Sequence, residues 1–185
     1  KYFGGNLGEG GEAAPLDEEL KALAADVFVN YEKQMDKFQF SNGLNEVFRL
    51  LDRANKYIDE TMPWALAKDE SKHERLGTVL YNLLEAIRFA AIALEPYLPD
   101  TSAKILAQIK CENGGLESLA SFGAMASGVR LDAPEILFAR LDMAKKMAEI
   151  DEFNAAKAKE KLPALEIEPY AEENVDFDTF CKSDF

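Results

Sequence analysis

The sequence predicts an all-α fold: an antiparallel helical bundle followed by an extended C-terminal tail. Three observations carry this reading. Apolar residues recur at three- and four-residue spacing through several long stretches, the signature of helices with one buried face. Proline and glycine punctuate the gaps between them, at Met62-Pro63, Pro96 to Pro99 and Gly114-Gly115, and short gaps make neighbouring helices antiparallel. A chain of 185 residues with 48% hydrophobic content is long enough to bury one ordinary core.

Lys1 to Pro15 holds five glycines within Gly4-Gly5-Asn6-Leu7-Gly8-Glu9-Gly10-Gly11, which reads as a flexible connector. It is not a phosphate cradle, because the Gly-x-x-x-x-Gly-Lys-Ser/Thr spacing is missing and Glu9 and Glu12 would repel phosphate. A first helix starts at Pro15 with acids in its opening turn and a stripe of Leu16, Leu20, Leu23, Val27, Tyr31 and Met35. Phe38 and Phe40 mark the next corner, with Ser41 or Asn42 as the cap of a second helix. That helix carries Leu44, Val47, Phe48, Leu51 and Ile58 at helical spacing. Asn55 interrupts the stripe where an apolar residue is expected. A polar group facing a core needs a partner, so Asn55 is either a clamp on backbone groups near the 62–64 corner or part of a pocket.

Proline disfavours helical geometry in the residue before it and suits the first position of a new helix, so Met62-Pro63 ends the second helix and Pro63-Trp64 opens a short one. Asp59, Glu60 and Thr61 lie where they can satisfy free N–H groups. Residue type alone argues that Trp64, the single tryptophan, is buried. Asp69-Glu70-Ser71 starts a third long helix reaching about Pro96, with Leu76, Val79, Leu80, Leu83, Leu84, Ile87, Ala91 and Leu94 as its stripe. His73, alone on the polar side, carries no chemistry. After the Pro96 to Pro99 corner, Asp100 or Thr101 caps a fourth helix through Ile105, Leu106 and Ile109, which Gly114-Gly115 stops. Leu116 to Phe138 is too rich in glycine to be one helix. Met143 to Lys161 is Ala-, Lys- and Glu-rich and helical, and Pro163 to Asn174 is an acidic linker.

Asp59-Glu60-Thr61-Met62-Pro63-Trp64-Ala65-Leu66-Ala67-Lys68, preceded by Arg53-Ala54-Asn55-Lys56-Tyr57, resembles the signature of the helical anticodon-binding domain of methionyl-tRNA synthetase. The resemblance implies the bundle type of the class Ia aminoacyl-tRNA synthetases and reverses the expectation for Trp64. In that family the matching Trp stacks on an anticodon base while the adjoining Pro and the Asp five residues ahead help to form the pocket. Those roles map to Trp64, Pro63 and Asp59, with Asn55 and Tyr57 as pocket support. Leu137-Phe138-Ala139-Arg140-Leu141-Asp142 resembles the segment that closes the same domain by packing back on it. Val175 to Phe185 resembles the opening strand of an appended OB-fold tRNA-binding module. The implied organisation is an anticodon-binding bundle over 1–142 lacking its first helix, a helical and acidic linker over 143–174, and a truncated OB-fold start over 175–185. The resemblance also implies that an Asn and an Arg on a preceding helix complete the pocket, and that ATP and zinc sites belong to a preceding catalytic domain. In the full-length protein it implies ATP-dependent attachment of methionine to its tRNA and homodimerisation through the OB-fold module.

No catalytic or metal-ligating constellation is evident from the residues, so this piece is expected to be inactive alone, with no cofactor of its own. Cys111 and Cys181 have no Cys or His at ligand spacing, which fits a reducing cytoplasm. The lack of an initiating Met reads as a piece of a longer chain. No run of about eighteen uncharged apolar residues suggests a membrane span. A net charge of −13 argues against a general nucleic-acid binder, and no DNA partner is expected. Glu166, Glu168, Glu172, Glu173, Asp176, Asp178 and Asp184 against Lys182 place about half of it in the last twenty residues. RNA recognition by the body must therefore be local and base-directed. The alternatives are an acidic protein-interaction bundle with Trp64 buried, or the equivalent domain of a leucyl, isoleucyl or valyl synthetase.

Overall fold

Every long periodic stretch forms a helix. The computed structural model describes residues 3–6, 11, 13–112, 114–126, 128–159 and 181–182. Its helices are α1 (Pro15–Asp36), α2 (Phe40–Thr61), α3 (Pro63–Leu66), α4 (His73–Leu94), α5 (Pro99–Gln108) and α6 (Met143–Lys159). Two 3₁₀ turns, Glu70–Lys72 and Leu116–Ala120, lie before α4 and after α5. The chain divides into two compact units, Lys1–Phe138 and Ala139–Phe185. Within the first, α1 and α2 pair along their lengths and α4 touches α1, α2, α3 and α5. The expected acidic linker and OB-fold strand lie outside the described residues, apart from Cys181 and Lys182.

Helix ends follow backbone constraints more than side-chain caps. Prolines occupy the first turns of α1, α3 and α5, where the missing N–H costs nothing. Neither Ser41 nor Asn42 caps α2, which starts earlier, after Gln39. Pro99 likewise starts α5 ahead of Asp100 and Thr101, with Leu98 at the capping position and no side-chain bond. Asp69 does cap the turn before α4, accepting from the Ser71 N–H at 3.1 Å. The glycine-rich connector is pinned at two points: Leu131 N–H donates to the Gly5 carbonyl at 2.8 Å, and Gly11 N–H to the Thr78 hydroxyl at 2.7 Å. Gly5 has φ 87°, and a Cβ there would sit 2.7 Å from the Leu131 carbonyl oxygen, so a side chain is excluded.

The core gathers Leu20, Val27 and Tyr31 of α1, Val47, Leu50 and Tyr57 of α2, and Val79, Phe89 and Ile92 of α4. Two apolar residues of the expected stripes are exposed instead. Phe48 is 53% exposed and Ile87 39% exposed. On α2 the buried face runs through Val47, Leu50, Ala54 and Tyr57, so Ala54 takes the place expected of Asn55. Within Glu70–Leu94 an eighteen-residue stretch is long and apolar enough by composition alone to cross a membrane. In the fold this apolar surface is turned to neighbouring helices, with 72% of that stretch buried.

A polar stripe on α4 organises what packs around it. Arg75, Thr78, Asn82, Glu85 and Arg88 recur at helical spacing, and between them they reach α1, α2, the glycine-rich connector and the 116–125 segment. Arg75 donates to both carboxylate oxygens of Asp17, at 2.5 and 2.8 Å. Asn82 donates to the Tyr57 hydroxyl at 3.3 Å, and that hydroxyl donates to Asp17 at 2.5 Å. Glu85 accepts from the Gly123 and Met125 N–H groups at 2.9 and 2.6 Å. Arg88, paired with Glu85 at 2.9 Å, donates to the Ser118 hydroxyl and the Ser121 carbonyl. These groups hold the irregular 116–125 segment on the bundle, where apolar contacts alone would not fix its register.

Asp17 is sealed from solvent. Burial opposes its charge, but hydrogen bonds from Arg75, the Ala14 N–H and Tyr57 outweigh that, and its pKa falls to about 2. Burial and the Asp17 bond push Tyr57 up to about 12. The unfolded chain binds a proton at Asp17 near pH 4, whereas the folded chain resists it to about 2. The resulting stability is present above pH 4 and is lost as pH falls through 2. At ~1.4 kcal/mol per unit it amounts to roughly 2–3 kcal/mol. Urea melts of Asp17→Asn are expected to show a loss of ~2–4 kcal/mol at pH 7 and a flatter dependence between pH 4 and 2 than the parent.

Candidate functional site

The corner between α2 and α3 is set by Pro63. The last α2 hydrogen bond runs from the Met62 N–H to the Ile58 carbonyl at 2.9 Å. Met62 then turns left-handed, with φ 45° and ψ 62°, because the proline bars ordinary helical geometry. Pro63 begins α3, and the Met62 carbonyl accepts from the Ala65 N–H at 2.8 Å. Side chains do not cap this start as expected. The Thr61 hydroxyl donates back to the Tyr57 carbonyl at 2.6 Å, and Glu60 instead accepts from Arg53 at 2.9 Å.

In so short a helix, two residues three apart share a face. Pro63 is buried and Leu66 packs on the core, so Trp64 and Ala65 face outward. Trp64 is 49% exposed, as is Met62 beside it. Asn55 and Asp59 lie four residues apart on the exposed side of α2 leading into this corner. The sequence-based expectation that Asn55 faces the core is thus corrected: the rotation of α2 follows Tyr57, whose hydroxyl is held by Asp17. Tyr57 is completely buried beneath the corner, so any support it lends is from inside. Of the five residues singled out, Trp64, Asp59 and Asn55 are exposed, while Pro63 and Tyr57 form the foundation.

The charges nearby are largely paired. Arg53 reaches Glu19 and Glu60 at 3.0 and 2.9 Å, Lys56 lies 3.6 Å from Glu60, and Lys72 lies 3.4 Å from Asp69. A polar cleft of about 370 Å³ opens at the start of α4, lined by Ala13, Ala14, Ser71, Glu74, Arg75 and Thr78. Its carboxylate and the commitment of Arg75 to Asp17 make it a poor phosphate site. Among the described residues no group of three or more His, Cys, Asp or Glu is placed to hold a metal. The arrangement offers an aromatic face for stacking, with carboxylate and amide groups on the adjoining helix for base-edge hydrogen bonds.

Sequence reasoning missed Asp17, Arg75 and Asn82, which hold the corner in place. Their signal was present: Arg75, Thr78, Asn82, Glu85 and Arg88 interrupt an apolar helix along a single face.

The family described as the anticodon binding domain of methionyl tRNA ligase matches residues 7–158. The methionine–tRNA ligase of Caldanaerobacter subterraneus subsp. tengcongensis is 43% identical over 180 residues, covering 92% of this chain and 28% of its own. That of Clostridium perfringens is 41% identical over 184 residues, covering 100% of this chain and 28% of its own. The chain thus spans well under a third of the length of these curated relatives. Among solved structures, the apo form of Mycobacterium tuberculosis methionyl-tRNA synthetase superposes with a TM-score of 0.70 at 28% identity, over 77% of this chain and 29% of that one.

The left-handed residue gives a direct check on the corner. Met62→Val places a β-branched residue at positive φ and is expected to cost ~1–2 kcal/mol, whereas Met62→Gly stays within ~1 kcal/mol of the parent in urea melts. Equal effects of the two substitutions would contradict the geometry.

Proposed function

Since this chain belongs to the methionyl-tRNA ligase anticodon-binding family, we propose that Trp64 stacks on an extruded base of the methionine tRNA anticodon, with Asp59 and Asn55 reading base edges. Pro63 fixes the ring's direction, and Tyr57 supports the corner from within. The observation that carries this is the 49% exposure of the indole at a corner whose Pro63 and Leu66 are turned inward. Splaying a base out of its loop costs stacking, and an indole face returns roughly 1–3 kcal/mol per base. Local ion pairs leave few free cations, which favours base-directed contact over phosphate neutralisation. An acidic interaction module with Trp64 buried is at odds with the same exposure. Leucyl, isoleucyl and valyl alternatives are disfavoured by the methionyl names of the relatives.

The reading extends to the longer protein. There the domain selects methionine tRNA for ATP-dependent charging in the cytoplasm, with ATP and zinc held by a catalytic domain. Homodimerisation through an OB-fold module is the finer part of the proposal, supported by the likeness of Val175 to Phe185 to its opening strand.

Because Trp64 is the single tryptophan, its emission reports this ring alone. Titration with a hairpin bearing the anticodon CAU is expected to quench it saturably, and changing the first anticodon base to abolish the quenching. Trp64→Ala, followed by anisotropy of a labelled hairpin, is expected to weaken binding by ~1–3 kcal/mol. Hairpin binding that leaves the emission unchanged would overturn the stacking role.

A further inference from the structure

The far ends of α1 and α4 carry a second surface, made by residues that the anticodon reading does not use. Helix α1 ends in a Schellman turn, with the Gln39 N–H on the Gln34 carbonyl and the Phe38 N–H on the Met35 carbonyl, both at 2.9 Å. The left-handed position in such a turn is usually glycine, yet here it is Phe38, at φ 57° and 79% exposed. Its ring meets that of Phe40 edge-on at 6.1 Å, and Phe40 is itself 51% exposed. Strain and exposed aromatic area thus coincide at one corner, where neither contributes to the core.

Beside that corner is a cleft of about 200 Å³ between α1, α4 and the 3₁₀ turn at Leu116. The two features are joined, since the Tyr97 hydroxyl donates to the Phe40 carbonyl at 2.7 Å and also reaches the sulfur of Met35, a lining residue, at 3.2 Å. The cleft walls are apolar, with Met35, Ile92, Pro96 and Leu116 among them. The charged groups that line it are all carboxylates: Glu32, Asp36 and Glu95. Lys33 and Lys37 neighbour two of them in sequence but are not among its lining residues.

We propose that this cleft and the Phe38–Phe40 corner form a docking surface for a basic, apolar-faced polypeptide segment. One aliphatic or aromatic side chain enters the cleft while flanking Lys or Arg groups meet the three carboxylates. Charge complementarity selects this occupant. A phosphate backbone would be repelled by the rim, and another copy of a chain with a net charge of −13 would add like charge.

The test uses the whole 185-residue chain with a labelled amphipathic helical peptide of leucine and lysine, and a leucine and glutamate peptide of the same pattern as control. Nuclear magnetic resonance titration is expected to give saturable shifts at Met35, Phe38, Ile92 and Leu116 with the basic peptide and none with the acidic one. Glu95→Lys and Phe38→Ser, both at exposed positions, are each expected to weaken binding at least fivefold with unchanged melting behaviour. Glu149→Lys, on α6, serves as a charge control and is expected to have a smaller effect. Equal weakening by Glu149→Lys would overturn the proposal as bulk electrostatics. Shifts at these residues with an RNA hairpin, or dilution-dependent self-association lost in Phe38→Ser, would overturn the choice of partner.

Discussion

The buried carboxylate of Asp17 is the constraint on which the corner depends. An ionised group without solvent must be met by donors on every side, and here they come from three helices: the Ala14 N–H of α1's own entrance, Tyr57 of α2 and Arg75 of α4. The chain leaves this knot at Tyr57 and returns to it at Arg75. Everything between, including the left-handed Met62, Pro63 and Trp64, is a loop closed at its base by hydrogen bonds. A half-exposed indole on a four-residue helix would otherwise have little to hold its direction.

The same logic repeats along α4. Its apolar surface drives it to the centre of the first unit, but apolar burial is tolerant of rotation and sliding. The polar stripe removes that freedom, because its hydrogen bonds form only at one rotation and one register of the helix. Glu85 and Arg88 also impose order on the glycine-containing segment that follows α5, which has too little regular structure to order itself. Aliphatic and aromatic contacts thus supply the driving force for burial, while five polar side chains fix the register of packing and, at Asp17, add stability of their own.

Much of this was legible in the residues. Helix existence and order followed from periodicity, and the Met62-Pro63 break followed from proline's effect on its neighbour. Exposure of Trp64 was not legible from its type, and only the resemblance around Asp59 to Lys68 pointed to it. Asn55 was misplaced because a stripe drawn from apolar residues alone admits a neighbouring rotation, and Phe48 appeared to support it. The true rotation is set by Tyr57, through a bond to a residue forty positions away. Caps at Ser41, Asn42, Asp100 and Thr101 failed because both helices begin earlier, α2 after Gln39 and α5 at Pro99.

The Asp17 knot holds Trp64 in one orientation. Labelling the chain with 5-fluorotryptophan gives a single fluorine resonance from that ring. At a temperature where both proteins are folded, one narrow line is expected in the parent, and a broadened or split line in Asp17→Asn. An unchanged line in Asp17→Asn would show that the corner holds its tryptophan without the buried carboxylate, and would contradict this role of Asp17.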